Sequence, residues 1–166
     1  AMRAHDFAKR LIARAKAAGC SALMLTLDLQ ILGQRHKDIK NGLSSPPKLT
    51  LKNILDMAMR PRWCMNMLQT PRRTFGNIVG HVDGVSDTSR LSAWVGEQFD
   101  LQLNWDDVER IRDWWGGKLI LKGVLDAEDA AMAAKTGADA LIVSNHGGRQ
   151  LDGAESSIAM LSEIEA

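Results

Sequence analysis

The sequence predicts an α/β fold with a parallel sheet. Along the 166 residues, short apolar runs that a sheet could bury on both faces alternate with segments of helical periodicity. Three such runs, residues 21–29, 118–123 and 140–147, each end in polar residues. Polar residues at the carboxyl ends of parallel strands are typical of binding sites in open α/β sheets and in (β/α)₈ barrels.

The first predicted helix covers residues 6–18 and leads into the first strand. Its apolar side chains recur at helical spacing, and Gly19 follows as a stop. The predicted inward face consists of Phe7, Leu11, Ala15 and Ala18.

Residues 44–103 interrupt the alternation after the first strand and are predicted to form a long inserted loop, irregular and mobile, within a single domain 1–166. One capped helix is predicted inside it, from Thr50 to Met59. Its predicted inward residues are Leu51, Ile54, Leu55 and Ala58. Residues 74–92 are rich in Gly, Asp and Ser and predict little regular structure.

The alternation then returns as helix, strand, helix, strand and helix. Asn104 is a predicted N-cap and Gly116 a stop, with Trp105, Val108, Ile111 and Trp115 facing inward. A helix from Asp126 to Gly137 joins the second and third strands. A compact strand–helix–strand unit of this kind has parallel strands and a right-handed crossover. A last helix is predicted over 157–165.

Composition excludes several classes of protein. With 45% hydrophobic and 25% charged residues, the chain can bury a core. A net charge of +1 is too balanced for a nucleic-acid binder, and no apolar run approaches the ~20 residues of a membrane span. Cys20 and Cys64 lack paired metal-ligand spacing, so no metal site is predicted and a reduced compartment is expected.

Four polar side chains near the strand ends could carry chemistry. Lys122 could neutralise an anion or attack a carbonyl, although a lysine in this position often reaches into solvent. His146 is suited to proton transfer, and Arg149 offers a planar fork for a carboxylate. Asp28 either caps its loop or bonds one nitrogen of His146, which would fix the tautomer and raise the basicity of the other nitrogen.

Together these motifs resemble the FMN-dependent α-hydroxy acid dehydrogenase/oxidase family, and within it the bacterial lactate-oxidising branch. The resemblance is carried by residues 25–28, 33–38, 114–123 and 144–152. It implies a (β/α)₈ barrel with FMN at its C-terminal mouth, of which this chain is about half, strands four to six.

The resemblance also implies the roles of individual residues. His146 would be the base with Asp28 as its partner, and Lys122 would stabilise negative charge on the reduced flavin. Arg149 would be the main carboxylate clamp, with Arg35 assisting. Without the resemblance, Arg35 would be taken as a solvated surface charge. The flavin contacts implied are Thr26, Lys122 and Ser144.

The implied activity is oxidation of a small L-2-hydroxy acid such as L-lactate, with electrons passed to a quinone or another respiratory acceptor. The chain has no tyrosine, whereas the family binds substrate with tyrosines on earlier barrel units. The flavin-phosphate site of the family would follow residue 166. We therefore expect the chain by itself to be inactive and to associate into homo-oligomers.

Residues 60–73 have a composition suited to an anionic membrane surface. Four arginines surround apolar side chains there, namely Trp63, Met65, Met67 and Leu68. The alternative is a loop that is solvated or packed on a neighbouring subunit. The resemblance implies a cytoplasmic protein, peripheral on the cytoplasmic face of the inner membrane.

Two other functions fit parts of the pattern. Lys122 could be the nucleophile of a Schiff-base barrel lyase, although the loop around His146 argues against it. Alternatively, the chain could be a non-catalytic half-barrel that serves in assembly. Flavin absorbance of the purified chain separates this second alternative from an enzyme.

Overall fold

In a computed structural model, the described residues are 5–30, 33, 35–42, 50–71, 75–78, 81, 94 and 101–165. The chain divides into two compact units. The first combines Ala1–Gln34 with Glu97–Ala166, and the second is Arg35–Gly96. The second unit overlaps most of the segment that was predicted as an insertion.

The described helices and strands follow the chain in an alternating order in the first unit, and the second unit contributes helices. They are α1 (His5–Ala17), β1 (Ala22–Thr26), α2 (His36–Lys40), α3 (Leu51–Ala58), α4 (Pro61–Gln69), α5 (Trp105–Trp115), β2 (Lys118–Val124), α6 (Ala127–Lys135), β3 (Ala140–Val143), a 3₁₀ turn (His146–Gly148) and α7 (Ser157–Glu165). The three predicted strands and the four predicted helices of the first unit are confirmed, with ends shifted by a few residues.

The sheet of the first unit is parallel, as predicted, and its strand order is β1-β2-β3. Thr26 lies opposite Lys122, and Lys122 lies opposite Ile142. The register then shifts, because Val124 pairs with Val143 and Gly123 is an extra residue on β2. Gly123 has φ +96°, which glycine adopts easily, and it forms a β-bulge at the carboxyl end of the strand.

The core lies between the sheet and its helices. Leu119 and Leu121 of β2 are fully buried and pack with Val108 of α5 and Ala133 of α6. Because side chains alternate along a strand, Lys122 belongs to the opposite face of the sheet. Met24 of β1 is on that face and is 51% exposed, so the helices described here cover one side of the sheet.

The helix that precedes β2 shows how the sequence fixes its ends. Asn104 accepts a hydrogen bond from the Asp107 N–H at 3.2 Å, and the Asp107 carboxylate accepts one from the Asn104 N–H at 3.3 Å. This capping box begins α5, and Gly116 ends it in the left-handed conformation. Buried Trp115 then donates its indole N–H to the Lys118 carbonyl at 2.8 Å, which fixes the start of β2.

The prediction for the buried face of α1 was partly wrong. Phe7 is buried as predicted, but Ile12 is the second buried residue. Ile12 packs against Ile111 and Trp115 of α5, a contact that the spacing within α1 did not reveal. Ala18 is exposed and lies beyond the end of α1 at Ala17.

Helix α3 of the second unit forms as predicted, but its apolar face is not buried. The helix itself is confirmed, since the Thr50 hydroxyl accepts a hydrogen bond from the Asn53 N–H at 3.2 Å. The predicted inward face is wrong: all four of its residues, Leu51, Ile54, Leu55 and Ala58, are exposed. An amphipathic pattern predicts an apolar face but not what covers it, and neither α3 nor α4 has a buried residue.

Helix α4 was not predicted, although Pro61 stands at its first turn, where proline is well tolerated. Most of residues 74–92 lie outside the described residues. In the described part of the chain, no helix combines the length and the apolar character needed to cross a membrane.

Candidate active site

Asp28 and His146 meet at the edge where the strands end. The Nδ1 atom of His146 lies 3.0 Å from Oδ2 and 3.1 Å from Oδ1 of Asp28. Both side chains are largely shielded from water, at 24% exposed for His146 and 17% for Asp28. The structure therefore brings together the two residues that were predicted to pair.

This contact decides the tautomer of the imidazole. An ionised carboxylate only accepts hydrogen bonds, so Nδ1 carries the proton and donates it to Asp28. In the neutral ring, Nε2 then holds a lone pair. Nε2 makes no hydrogen bond to any described residue, so it can accept a proton from a bound molecule.

Lys122 places a positive charge beside this pair. Its Nζ lies 3.4 Å from Nδ1 of His146. Because the Nδ1 proton is directed to Asp28, the ammonium cannot donate to the same nitrogen, and the contact is one of proximity. Thr26 is the neighbour of Lys122 across the sheet.

The loop after β3 holds His146 in an unusual backbone conformation. His146 has φ +58°, in the left-handed region, which costs a non-glycine residue on the order of 1 kcal/mol. The Ser144 hydroxyl accepts a hydrogen bond from the His146 N–H at 3.1 Å. Asn145 accepts one from the Gly147 N–H at 2.9 Å and donates one to the Glu155 carbonyl at 3.0 Å. These bonds fix the direction in which the imidazole points.

Two further contacts at this edge were not found from the sequence. Gly123 lies against the Asp28 carboxyl group, and a Cβ atom on Gly123 would stand 2.7 Å from Oδ1. Gln150 donates a hydrogen bond from Nε2 to the main-chain carbonyl of Asp28 at 3.4 Å. A glycine inside an apolar strand, directly after the lysine, was the available signal for the first contact.

The two arginines are placed in different units. Arg149 is exposed and follows the 3₁₀ turn that carries His146, and its main-chain N–H donates to the His146 carbonyl at 3.4 Å. Arg35 belongs to the second unit and precedes α2. The predicted cooperation of Arg35 with Arg149 stays a prediction.

A parallel sheet with a paired histidine at its carboxyl edge fits an α/β enzyme. A family model described as FMN-dependent dehydrogenase matches residues 1–166, and the chain belongs to this family. It is 39% identical over 165 residues to an L-lactate dehydrogenase of Acinetobacter baylyi, covering 98% of this chain and 42% of that protein. It is 40% identical over 164 residues to an L-lactate dehydrogenase of Actinobacillus pleuropneumoniae, covering 98% of this chain and 43% of that protein.

Solved structures of related proteins have the same local fold. The structure of (S)-mandelate dehydrogenase, described as a monotopic membrane protein, matches with a TM-score of 0.86 and 34% identity, over 94% of this chain and 41% of that chain. The crystal structure of a mandelate oxidase matches with a TM-score of 0.66 and 31% identity, over 98% of this chain and 37% of that chain. The chain thus spans about two fifths of the length of the relatives it matches.

Proposed function

We propose that this chain supplies the proton-transfer part of the active site of an FMN-dependent L-2-hydroxy acid dehydrogenase that oxidises L-lactate to pyruvate. The observation that carries the proposal is the Asp28–His146 pair, which leaves Nε2 ready to accept a proton at the carboxyl edge of the sheet. Names of relatives as L-lactate dehydrogenases support the choice of substrate.

His146 acts as the general base in this proposal. Nε2 takes a proton from the hydroxy acid, and the ring becomes a cation that Asp28 stabilises through Nδ1. Arg149 binds the substrate carboxylate through its planar guanidinium group, since it lies three residues beyond the base. Arg35 assists it.

The side chains present fit a flavin. Thr26 and Lys122 are neighbours in register on β1 and β2, and Ser144 follows β3, so two hydroxyl groups and an ammonium lie along one edge of the sheet. Such donors suit the polar edge of an isoalloxazine ring, and the Lys122 cation would balance negative charge there. FMN held there would supply two-electron redox chemistry between the substrate and a quinone or another respiratory acceptor.

We infer that the three strands are units four to six of a (β/α)₈ barrel. The face of the sheet that carries Met24 and Lys122 would be its interior, and other segments of a complete enzyme would cover it.

A chimera tests the proposed function directly. Residues 1–166 replace the matching segment of the Acinetobacter baylyi L-lactate dehydrogenase, which serves as the positive control. The expected result is bound FMN and lactate-dependent reduction of a dye. A folded chimera that binds FMN but reduces no dye with lactate or other small L-2-hydroxy acids would contradict the proposal. Borohydride trapping of a carbonyl substrate on Lys122 would instead favour the Schiff-base lyase.

Produced by itself, the chain is expected to bind FMN weakly and to show no turnover with lactate. Among the described residues, the sheet has two open edges and one face that no helix covers, so we also expect self-association. Flavin absorbance after gel filtration and sedimentation velocity check both points. A monodisperse monomer with stoichiometric FMN and lactate turnover would show that a smaller complete enzyme exists.

A second proposal concerns the surface formed by α3 and α4, which we infer to be a peripheral membrane contact. Large apolar side chains are exposed on both helices and between them, including Leu51 of α3 at 75%, Leu68 of α4 at 74% and Met59, which follows α3, at 81%. Arg60 and Arg62 are exposed beside them. Exposed apolar groups with flanking cations suit an anionic lipid surface. The relative described as a monotopic membrane protein supports this, while Arg72 and Arg73 lie outside the described residues.

Replacing Arg60 and Arg62 together by glutamine is expected to weaken sedimentation with phosphatidylglycerol vesicles. Each lost cation removes about 1 kcal/mol of attraction to an anionic surface, so binding falls roughly 30-fold for the pair. The matched control changes Lys37 and Lys40 of α2 to glutamine, which removes the same charge from the same unit. If both double variants lost vesicle binding equally, the loss would be explained by net charge alone, and α3–α4 would be rejected as the membrane contact.

A further inference from the structure

We propose that Gln150 is a positioning residue for the His146–Asp28 pair, and that Gly33 packs against Gln150 and thereby sets its position. The inference rests on the proposed function for its meaning, because it concerns the base of that reaction. It is carried by contacts within the first unit between the loop after β1 and the loop after β3.

Gln150 connects the two loops through the main chain of Asp28. Its Nε2 donates to the Asp28 carbonyl at 3.4 Å. Asp28 and Gln150 are far apart in sequence, so this bond joins the loop that carries the carboxylate to the loop that carries the imidazole. A bond of this length is weak by itself, and the position of Gln150 must be held by packing as well.

Gly33 supplies that packing. A Cβ atom on Gly33 would stand 2.7 Å from Oε1 and 2.9 Å from Cα of Gln150, and closer still to the main-chain oxygen of Arg149. Real Cβ atoms do not approach other atoms this closely, so the two loops can meet here only while residue 33 lacks a side chain. The contact therefore sets where Gln150 and the main chain of Arg149 lie.

The consequence for the site follows from the order of these contacts. Gly33 fixes Gln150, Gln150 holds the Asp28 main chain, and the Asp28 carboxylate keeps the proton of His146 on Nδ1. Gly123 closes the other side of the Asp28 carboxyl group. Loss of the Gln150 bond frees Asp28 to turn away, after which the neutral imidazole can carry its proton on Nε2 and no longer act as a base.

The nitrogen spectrum of the histidine ring tests this without reference to activity. Magic-angle-spinning ¹⁵N spectra of the sedimented 166-residue chain distinguish a protonated from an unprotonated ring nitrogen, whether or not the chain self-associates. His146→Gln assigns the signal. We expect a protonated Nδ1 in the neutral ring of the wild type, and a mixture of both tautomers in Gln150→Leu and in Gly33→Ala.

Matched controls separate positioning from general disturbance. Gln30→Leu makes the same change at an exposed glutamine on the Asp28 loop, and Gly76→Ala adds a methyl group that meets nothing within 4 Å. Both are expected to keep the wild-type spectrum. An unchanged tautomer in Gln150→Leu would overturn the proposal.

Gln150→Glu carries the test if the leucine variant does not fold, since glutamate keeps the shape and loses the amide donor. It too should show mixed tautomers, and a wild-type spectrum would equally reject the role of Gln150.

In the chimera, Gln150→Leu should lower kcat by up to about 10²-fold with KM for lactate unchanged, as expected for a misplaced base. Gly33→Ala should also raise KM, since it displaces Arg149. If the chimera without these substitutions is inactive but the Gln150 variants of the 166-residue chain still show the changed tautomer, the proposed function is rejected and the positioning role of Gln150 stands.

Discussion

Replacing His146 by glutamine in the chimera with the Acinetobacter baylyi enzyme is expected to slow flavin reduction by lactate by ~10² to 10⁴-fold, the usual contribution of a general base. Glutamine can still donate a side-chain hydrogen bond toward Asp28, but its amide has no basic nitrogen to replace Nε2. The proton of the substrate would then have no acceptor. Single-turnover reduction of the flavin, followed by its absorbance, measures this step.

Bound FMN should stay at the wild-type level in this variant, because the predicted flavin contacts are Thr26, Lys122 and Ser144. His36→Gln is the matched control, since it makes the same change at an exposed histidine of the second unit. Single-turnover reduction at the control rate in the His146 variant would remove His146 from the role of base. Loss of FMN together with activity would point to a binding role instead.

Arg149→Lys is expected to reduce kcat/KM by roughly 30-fold, which corresponds to about 2 kcal/mol of transition-state stabilisation. The charge is kept, but an ammonium group cannot form the two parallel bonds that a guanidinium group forms with a carboxylate. KM should rise and kcat should fall together, because the clamp also orients the substrate toward His146. Steady-state dye reduction over a range of lactate concentrations measures both constants.

Arg10→Lys on α1 is the control for this change, as an exposed arginine outside the predicted site. It should leave both constants as they are. If the lysine variant at position 149 kept the kcat/KM of the parent chimera, the carboxylate clamp would have to be assigned to another group, with Arg35 as the next candidate.

The sheet and most of its helices were predictable because their signals are local. Asn104 and Gly116 mark the ends of α5 within a few residues of sequence, and the apolar runs of β1 and β2 need no knowledge of distant partners. The exposed face of α3 could not be predicted in the same way. Whether Leu51 is covered depends on other elements, which helical periodicity does not report.

The candidate site also combines residues that could be predicted from local sequence with residues that could not. Asp28 and His146 could be paired from the sequence, because both follow predicted parallel strands and such ends lie at one edge of a sheet. The roles of Gly33, Gly123 and Gln150 could not, since each depends on how closely two distant segments of main chain approach. Single glycines have many causes in a sequence, and an approach of this kind is visible only in three dimensions.

The connections between the strands also bear on the order in which the molecule folds. β2 and β3 are joined by the short helix α6, whereas the whole stretch from Leu27 to Gly117 separates β1 from β2. Closing so long a loop costs chain entropy before any contact compensates for it, so the β2–α6–β3 unit is expected to form early and β1 to dock late. Asp28 follows β1 and His146 follows β3, so their hydrogen bond closes only at that late step. A nascent or partly refolded chain would thus have β2 and β3 paired before the Asp28–His146 hydrogen bond forms.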